Sequence, residues 1–185
     1  MAKSGGRVIK DTNRIPRALR QLNRMQTRRV KVGIFADAPQ LVAIGAINEF
    51  GTDIPVDAEL HRKLQMLARE HGAPTDTLPK EGEQLRIPER SFLRATMDEK
   101  QDDVVKTAPG EISDMMLGKK DAYEAMMSVG KQLQAAVIDR VAKGVDMEPN
   151  DPFTIALKGH ARPLIGRTGV LETTQGIRVK VVRKG

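Results

Sequence analysis

Apolar residues recur with a helical period in several segments of the chain. A helix is predicted over residues 13–27, where apolar positions three or four residues apart form one stripe: Ile15, Leu19, Leu22 and Met25. A short apolar helix is predicted over 41–50, with Gly51 suited to a left-handed C-cap. The longest helix is predicted over 119–143, with Gly144 as its stop and a broad apolar face: Tyr123, Met126, Met127, Gly130, Leu133, Val137 and Val141.

Alternation with a period of two predicts strands near both ends of the chain. Apolar side chains occupy every second position in residues 30–35 and again in residues 177–182. A shorter apolar segment, 85–87, is compatible with a further strand. A strand is therefore expected early and late in the sequence, with most of the helical segments between them.

At 185 residues the chain has the length of one domain, and residues 55–86 have the character of an insertion, here called the arm. The arm contains a predicted helix over 57–71 with a narrow apolar stripe of Leu60, Leu64 and Leu67. The arm as a whole is too polar to form its own core, so it is expected to lie on a neighbouring subunit or on the adjoining ring.

Two further boundaries follow from proline and glycine. Pro88 suits the first turn of a helix that runs to about residue 106, and Pro109-Gly110 marks a boundary within residues 107–118. A turn-rich loop over 147–152 separates the longest helix from the final region.

Composition removes several classes of protein. The chain has no cysteine, which excludes disulfides and thiolate metal sites. No apolar run approaches about 20 residues, so neither a transmembrane helix nor a membrane partner is expected. Residues 1–6 lack the apolar core of a secretory signal, and synthesis and use in the cytoplasm are expected.

The net charge of +7 is distributed unevenly along the chain. Residues 1–31 hold ten Lys or Arg against one Asp, and residues 153–185 hold seven against one Glu. The segment between them is acidic, with 14 basic and 22 acidic side chains. Opposite blocks on one subunit suit head-to-tail pairing between copies, although basic segments that face nucleic acid or ordinary solvated faces would give the same pattern.

The first predicted helix carries a basic stripe beside its apolar stripe, and these side chains are the candidates to face a channel or DNA: Arg14, Arg17, Arg20, Arg24 and Arg28. A nucleic-acid-binding module that uses this helix is the alternative function. Aromatic residues are missing from the segment, so the stacking platforms of single-strand binders are not expected.

The sequence predicts no catalytic, cofactor or metal site. His61 and His71 lie ten residues apart, which is not the spacing that brings two imidazoles to one metal. Asp98 with Asp102, and Glu99 with Asp103, form an acidic helix face that could bind divalent cations, pair with a neighbour's arginines or, in a third reading, serve a hydrolase. A solvated face explains it equally well.

Three phrases stand in order along the chain: Glu49-Phe50-Gly51-Thr52, then Ile87-Pro88-Glu89-Arg90-Ser91-Phe92-Leu93-Arg94, then residues 163–171, PLIGRTGVL. Together with the strand-like segment 30–35, they resemble the neck and tail-completion (virion morphogenesis, tail-terminator-like) proteins of tailed bacteriophages. Departures occur at the third phrase, where Gly166-Arg167 precedes Thr168-Gly169 in place of an acidic residue, and Thr173-Thr174 follows Leu171-Glu172.

The resemblance implies an α+β fold, in which a small antiparallel sheet packs against helices and the extended helical arm is inserted. It implies a structural virion protein, not an enzyme, that forms a six-fold homo-oligomeric ring at the head–tail junction. Its partners would be the adjacent head–tail connector, the tail tube or sheath proteins and, in the channel, DNA. Assembly would take place in the host cytoplasm.

Seven residues are the candidates for contacts between subunits: Glu49, Phe50, Leu64, Leu67, Arg90, Arg94 and Arg167. Arg90 and Arg94 lie one helical turn apart and could pair with carboxylates such as Glu49, within the subunit or across an interface.

Overall fold

A computed structural model describes residues 14–166 and 169–185. In this part of the chain the fold is α+β, as expected. The helices are α1 (Ile15–Gln26), α2 (Pro39–Phe50), α3 (Ala58–Glu70), α4 (Leu93–Met116), α5 (Ala122–Lys143) and α6 (Pro152–Lys158). The strands are β1 (Arg28–Gly33), β2 (Thr52–Pro55), β3 (Gln84–Ile87) and β4 (Arg178–Arg183), and a 3₁₀ turn spans Val170–Glu172.

The first and last strands form an antiparallel pair, with Val30 opposite Val181 and Val32 opposite Val179. Helix α5 lies against one face of this pair, and its Gly130 allows the close approach. A Cβ at position 130 would lie 2.4 Å from Val179 Cγ1 and 2.7 Å from Val30 Cγ1. The valines that alternate toward α5 are therefore the reason that this sheet packs on this helix.

The main core lies where α5, the start of α4 and the residues before β4 meet. Its buried members come from widely separated parts of the chain: Phe92, Val137, Val141, Leu164, Leu171 and Ile177. Phe92, Val141 and Ile177 have no exposed surface. The predicted apolar face of α5 is confirmed at Val137 and Val141, whereas Tyr123 is 47% exposed.

The arm is closed at its base and packed within the chain. Strands β2 and β3 pair antiparallel, which confirms the strand at 85–87. Helix α3 buries its stripe, with Leu64 at its centre, against Phe153 of α6. The expectation that the arm is too polar to pack within its own chain is wrong for this stripe, because α6, which the sequence did not predict, covers it.

Helix α4 differs from its prediction at both ends. It begins at Leu93, not near Pro88, and continues through Pro109 to Met116. Pro109 is exposed, so its ring meets solvent and the missing N–H costs one helical hydrogen bond without ending the helix. The turn predicted at Pro109-Gly110 is therefore wrong, and the break between α4 and α5 comes after Met116, at the end of the predicted boundary segment 107–118.

Helix α1 packs on α4 and α5 through a face that is rotated from the predicted stripe. Ala18 and Gln21 are buried, and Leu22 and Met25 are partly buried on a small cluster around Met115. Ile15 and Leu19 are 67% and 56% exposed. The predicted helix is confirmed, but only Leu22 and Met25 of its apolar stripe face the core.

Helix ends follow the expected capping chemistry only in part. Gly144 adopts the left-handed conformation after α5, and Asp121 with Glu124 forms a capping box at the start of that helix. Gly51 has a positive φ of 68° after α2, but its ψ of 169° is extended and not that of a left-handed C-cap.

Candidate functional site

Glu49, in the first of the three phrases, caps helix α4 from a distance. Its carboxylate accepts hydrogen bonds from the amides of Phe92, Leu93 and Arg94, each at 2.9 Å, and from Ser91 Oγ at 2.8 Å. The residue is 3% exposed. The first amides of a helix have no partner within the helix, so Glu49 supplies what they lack. We call this arrangement the Glu49 junction.

Arg94 completes the Glu49 junction on its solvent side. Its Nε lies 3.1 Å from Glu49 Oε1, and its Nη2 donates to the Glu49 backbone oxygen and to Glu89, both at 2.8 Å. The guanidinium also lies 4.6 Å from the centre of the Phe50 ring. The predicted pairing of Arg94 with Glu49 thus occurs within one chain.

The charge of Glu49 is stabilised despite its burial. Burial raises the pKa of this carboxyl group, but the hydrogen bonds from Leu93, Arg94, Ser91 and Phe92 outweigh burial and hold the pKa below its ordinary value. Glu49 is therefore an anion at neutral pH. The ionised carboxylate is the form that can accept all of these hydrogen bonds.

Arg90 joins the second phrase to the loop before α6. It is 7% exposed, and it donates from Nε to the carbonyl of Glu148 at 2.8 Å and from Nη2 to that of Pro149 at 3.1 Å. Asn150 in turn donates to the carbonyls of Ala161 and Arg162, just before the third phrase. The three phrases therefore converge, since Leu164 also packs in the same core as Phe92.

This convergence changes the meaning of the interface candidates. Glu49, Arg90 and Leu64 are more than nine-tenths buried and bonded or packed within the chain, so they do not face a neighbour, and Leu67 is half-buried in the arm. Arg94 and Phe50 remain at the surface. Arg167 lies outside the described residues.

The outer side of α2 carries the exposed apolar residues. Its members are 37–63% exposed, and we call them the α2 apolar surface: Val42, Ile44, Ile47 and Phe50. Glu49 is the helix's single charged residue, and it points inward. Ile44 and Ile47 also line a groove of about 430 Å³ whose other walls include Ile87 and Leu171. The apolar helix was predicted from the sequence, but which of its sides is exposed was not.

A second surface is basic and lies where α1, β1 and β4 meet. A cleft of about 730 Å³ is lined by Thr27, Asp121 and four cationic residues, and we call it the basic cleft: Arg24, Arg28, Arg183 and Lys184. The amide of Lys184 donates to the Thr27 carbonyl at 2.8 Å, which brings the end of β4 to the end of α1. Arg24 and Arg28 were among the predicted channel- or DNA-facing residues. Arg183 and Lys184 were not, because only the strand register brings them to this cleft.

The remaining members of the predicted arginine stripe line α1 outside the cleft. Arg17 and Arg20 are exposed, and Arg14 Nη1 donates to the Leu117 carbonyl at 3.0 Å. The structure thus gathers part of the stripe with the last residues of β4 and leaves the rest along the helix.

The candidates for catalysis stay apart. His61 is bonded within the arm, with its ring nitrogens 2.9 Å from the Pro79 carbonyl and from Gln65 Nε2. Glu99 on the acidic face pairs with Arg140 of α5. Over residues 14–166 and 169–185, no three His, Asp or Glu side chains are placed to hold a metal ion.

Comparisons of the chain with protein-family models, with curated proteins and with solved structures found no match. No helix in the described ranges is long and apolar enough to cross a membrane.

Proposed function

We propose that this chain is a non-enzymatic structural subunit of a tailed-phage virion. Copies of the chain would assemble into a ring at the head–tail junction. The resemblance of the three phrases to neck and tail-completion proteins supplies the class. Their convergence on one buried junction supports a shared scaffold, because residues at this junction set where α4 begins and how the core closes.

The α2 apolar surface is the observation that carries the proposal. A helix that is apolar all round is normally buried, since water-exposed helices carry charged residues on their outer side. Large exposed apolar patches on soluble proteins mark contact sites. Val42, Ile44, Ile47 and Phe50 therefore fit a surface that another subunit covers in the assembled particle.

Assembly of the purified chain tests this role. Native mass spectrometry and negative-stain imaging at high protein concentration are expected to show a closed ring. An Ile44→Lys/Ile47→Lys variant should stay monomeric, because two charges would be buried without partners in the contact. Met66→Lys is the matched control, since Met66 is 62% exposed on the arm and should not affect ring formation.

A second measurement places the subunit in the particle. Imaging of virions that contain the chain is expected to locate it between head and tail, and particles that lack it should fail to join the two. The proposal is wrong if the parent chain stays monomeric at high concentration and virions formed without it carry DNA and tails normally.

A further inference from the structure

We propose that the basic cleft binds the phosphate backbone of nucleic acid. Arg24, Arg28, Arg183 and Lys184 surround a space large enough for phosphate groups, and Asp121 is the one acidic residue that lines it. The Asp121 carboxylate already accepts the amide of Glu124 as the cap of α5. In the described part of the chain, none of the four cationic side chains forms an ion pair within 4.0 Å.

Strand register supplies an independent sign that an anion belongs in the basic cleft. Arg28 lies directly opposite Arg183 in the β1–β4 pair. Like charges directly opposite one another in an antiparallel pair destabilise the sheet. Because Thr27 and Lys184 form a hydrogen-bonded pair, the alternation of the ladder makes Arg28 and Arg183 a non-hydrogen-bonded pair, whose side chains stand closest.

A second like-charged pair in the same sheet shows how a repulsion of this kind is relieved within the chain. Lys31 lies opposite Lys180, and there Asp37 reaches Lys180 at 3.6 Å and also pairs with Arg178. The aromatic ring of Phe35 adds a contact 4.3 Å from Lys180 Nζ. No such carboxylate pairs with Arg28 or Arg183 in the described residues, so an external anion would take the role beside them that Asp37 has beside Lys180.

The length and the side chains of this surface indicate which class of anion it would bind. Arg17 and Arg20 extend the charge of the cleft along α1, so the cationic surface is longer than a single phosphate needs. Aromatic side chains are missing from the cleft lining, which leaves nothing for bases to stack on. A chain of phosphates bound without base readout fits these features, and its affinity should depend steeply on salt.

A titration of the full-length chain with a fluorescent duplex DNA of mixed sequence tests the proposal, with salt concentration varied. The variant Arg24→Ala/Arg28→Ala/Arg183→Ala/Lys184→Ala is expected to bind at least about tenfold more weakly than the parent at low salt. Its log–log salt slope should be smaller by roughly 0.9 for each phosphate contact removed. A two-residue variant, Arg183→Ala/Lys184→Ala, at exposed positions should give part of the loss in a chain whose core is untouched.

The matched control removes four positive charges from exposed positions of the arm: Arg62→Ala, Lys63→Ala, Arg69→Ala and Lys80→Ala. It has the same net charge as the cleft variant and should keep the parental slope. Equal binding by parent and cleft variant, or an equal loss in the control, would overturn the proposal. The test uses single chains in dilute solution, so it does not depend on whether the subunit forms a ring.

Discussion

Two charged regions of the molecule, the Glu49 junction and the basic cleft, treat their charges in opposite ways. Glu49 is buried, and donors from four consecutive residues, Ser91 to Arg94, surround its carboxylate. In the basic cleft, Arg28 and Arg183 lie opposite each other, and neither forms an ion pair with any residue that the structure describes. Both arrangements are fixed by backbone geometry, one by a helix start and the other by strand register.

The difference separates charges that stabilise the fold from charges that are available to a partner. Removal of the Glu49 carboxylate would leave three amides and the Nε of Arg94 without their acceptor, so the fold depends on it. Removal of Arg183 would relieve a repulsion, so the fold does not depend on it. Substitution of Glu49 should therefore lower the free energy of unfolding, whereas substitution of Arg183 should not. The sign of this change distinguishes the two regions.

The largest effect is expected for Glu49→Ala. Buried amides at the start of α4 would lose their acceptor, which should lower the free energy of unfolding by about 3 kcal/mol in urea titrations. Glu89→Ala removes the exposed partner of Arg94 and is the control, with an expected cost below about 1 kcal/mol. Similar costs for the two variants would mean that Glu49 does not cap α4.

Arg90→Ala should rank second. The carbonyls of Glu148 and Pro149 would lose a charged donor whose side chain is buried, at an expected cost of about 2 kcal/mol by the same titration. Arg86 reaches Glu148 only at 3.8 Å on the surface, so Arg86→Ala should cost less than about 1 kcal/mol. If Arg86→Ala proves as costly as Arg90→Ala, burial does not distinguish these arginines.

The pH dependence of stability should show a smaller effect with a defined sign. The pKa of Glu49 is lowered by folding, so its contribution is complete above the ordinary value of 4.5 and is lost as pH falls through the lower folded pKa. The stability gap between the parent and Glu49→Gln should therefore shrink below about pH 4.5. A gap that widens on acidification would show that folding raises this pKa.

The smallest effect should have the opposite sign. Arg183→Glu replaces a repulsion with an attraction opposite Arg28 and is expected to raise the free energy of unfolding by roughly 0.2–1 kcal/mol, while duplex binding weakens. Arg29→Glu is the control for direct opposition, because Arg29 lies opposite the uncharged Val182 and should gain less from the change. Destabilisation by Arg183→Glu would place Arg183 among the charges that support the fold.

The apolar period of the sequence predicted those helices and strands that depend on residues within the same segment. Helix α5, the β1–β4 strands and the arm helix lie within about three residues of their predicted bounds, because each follows a clear apolar period. Helix α6 was missed, since seven residues are too few to establish a period and Pro152 marked a turn equally well.

Features with a distant cause could not be predicted. The start of α4 is set by Glu49, whose carboxylate bonds to an amide 43 residues further along the chain. No pattern near Pro88 contains that information. The basic cleft depends in the same way on the register that brings Arg183 to Arg28, and the interface role expected for Glu49 and Arg90 failed because their partners lie in other segments of the same chain.

The β2–β3 ladder has a consequence for how such a fold can change in length. Thr52 lies opposite Ile87, so the two ends of the arm leave the body side by side and Glu49 meets Ser91 regardless of how much polypeptide lies between them. An arm of a different length could be inserted at this point without displacing the start of α4, provided that apolar residues still pack on Phe153. The rest of the fold can thus stay constant while the arm is exchanged.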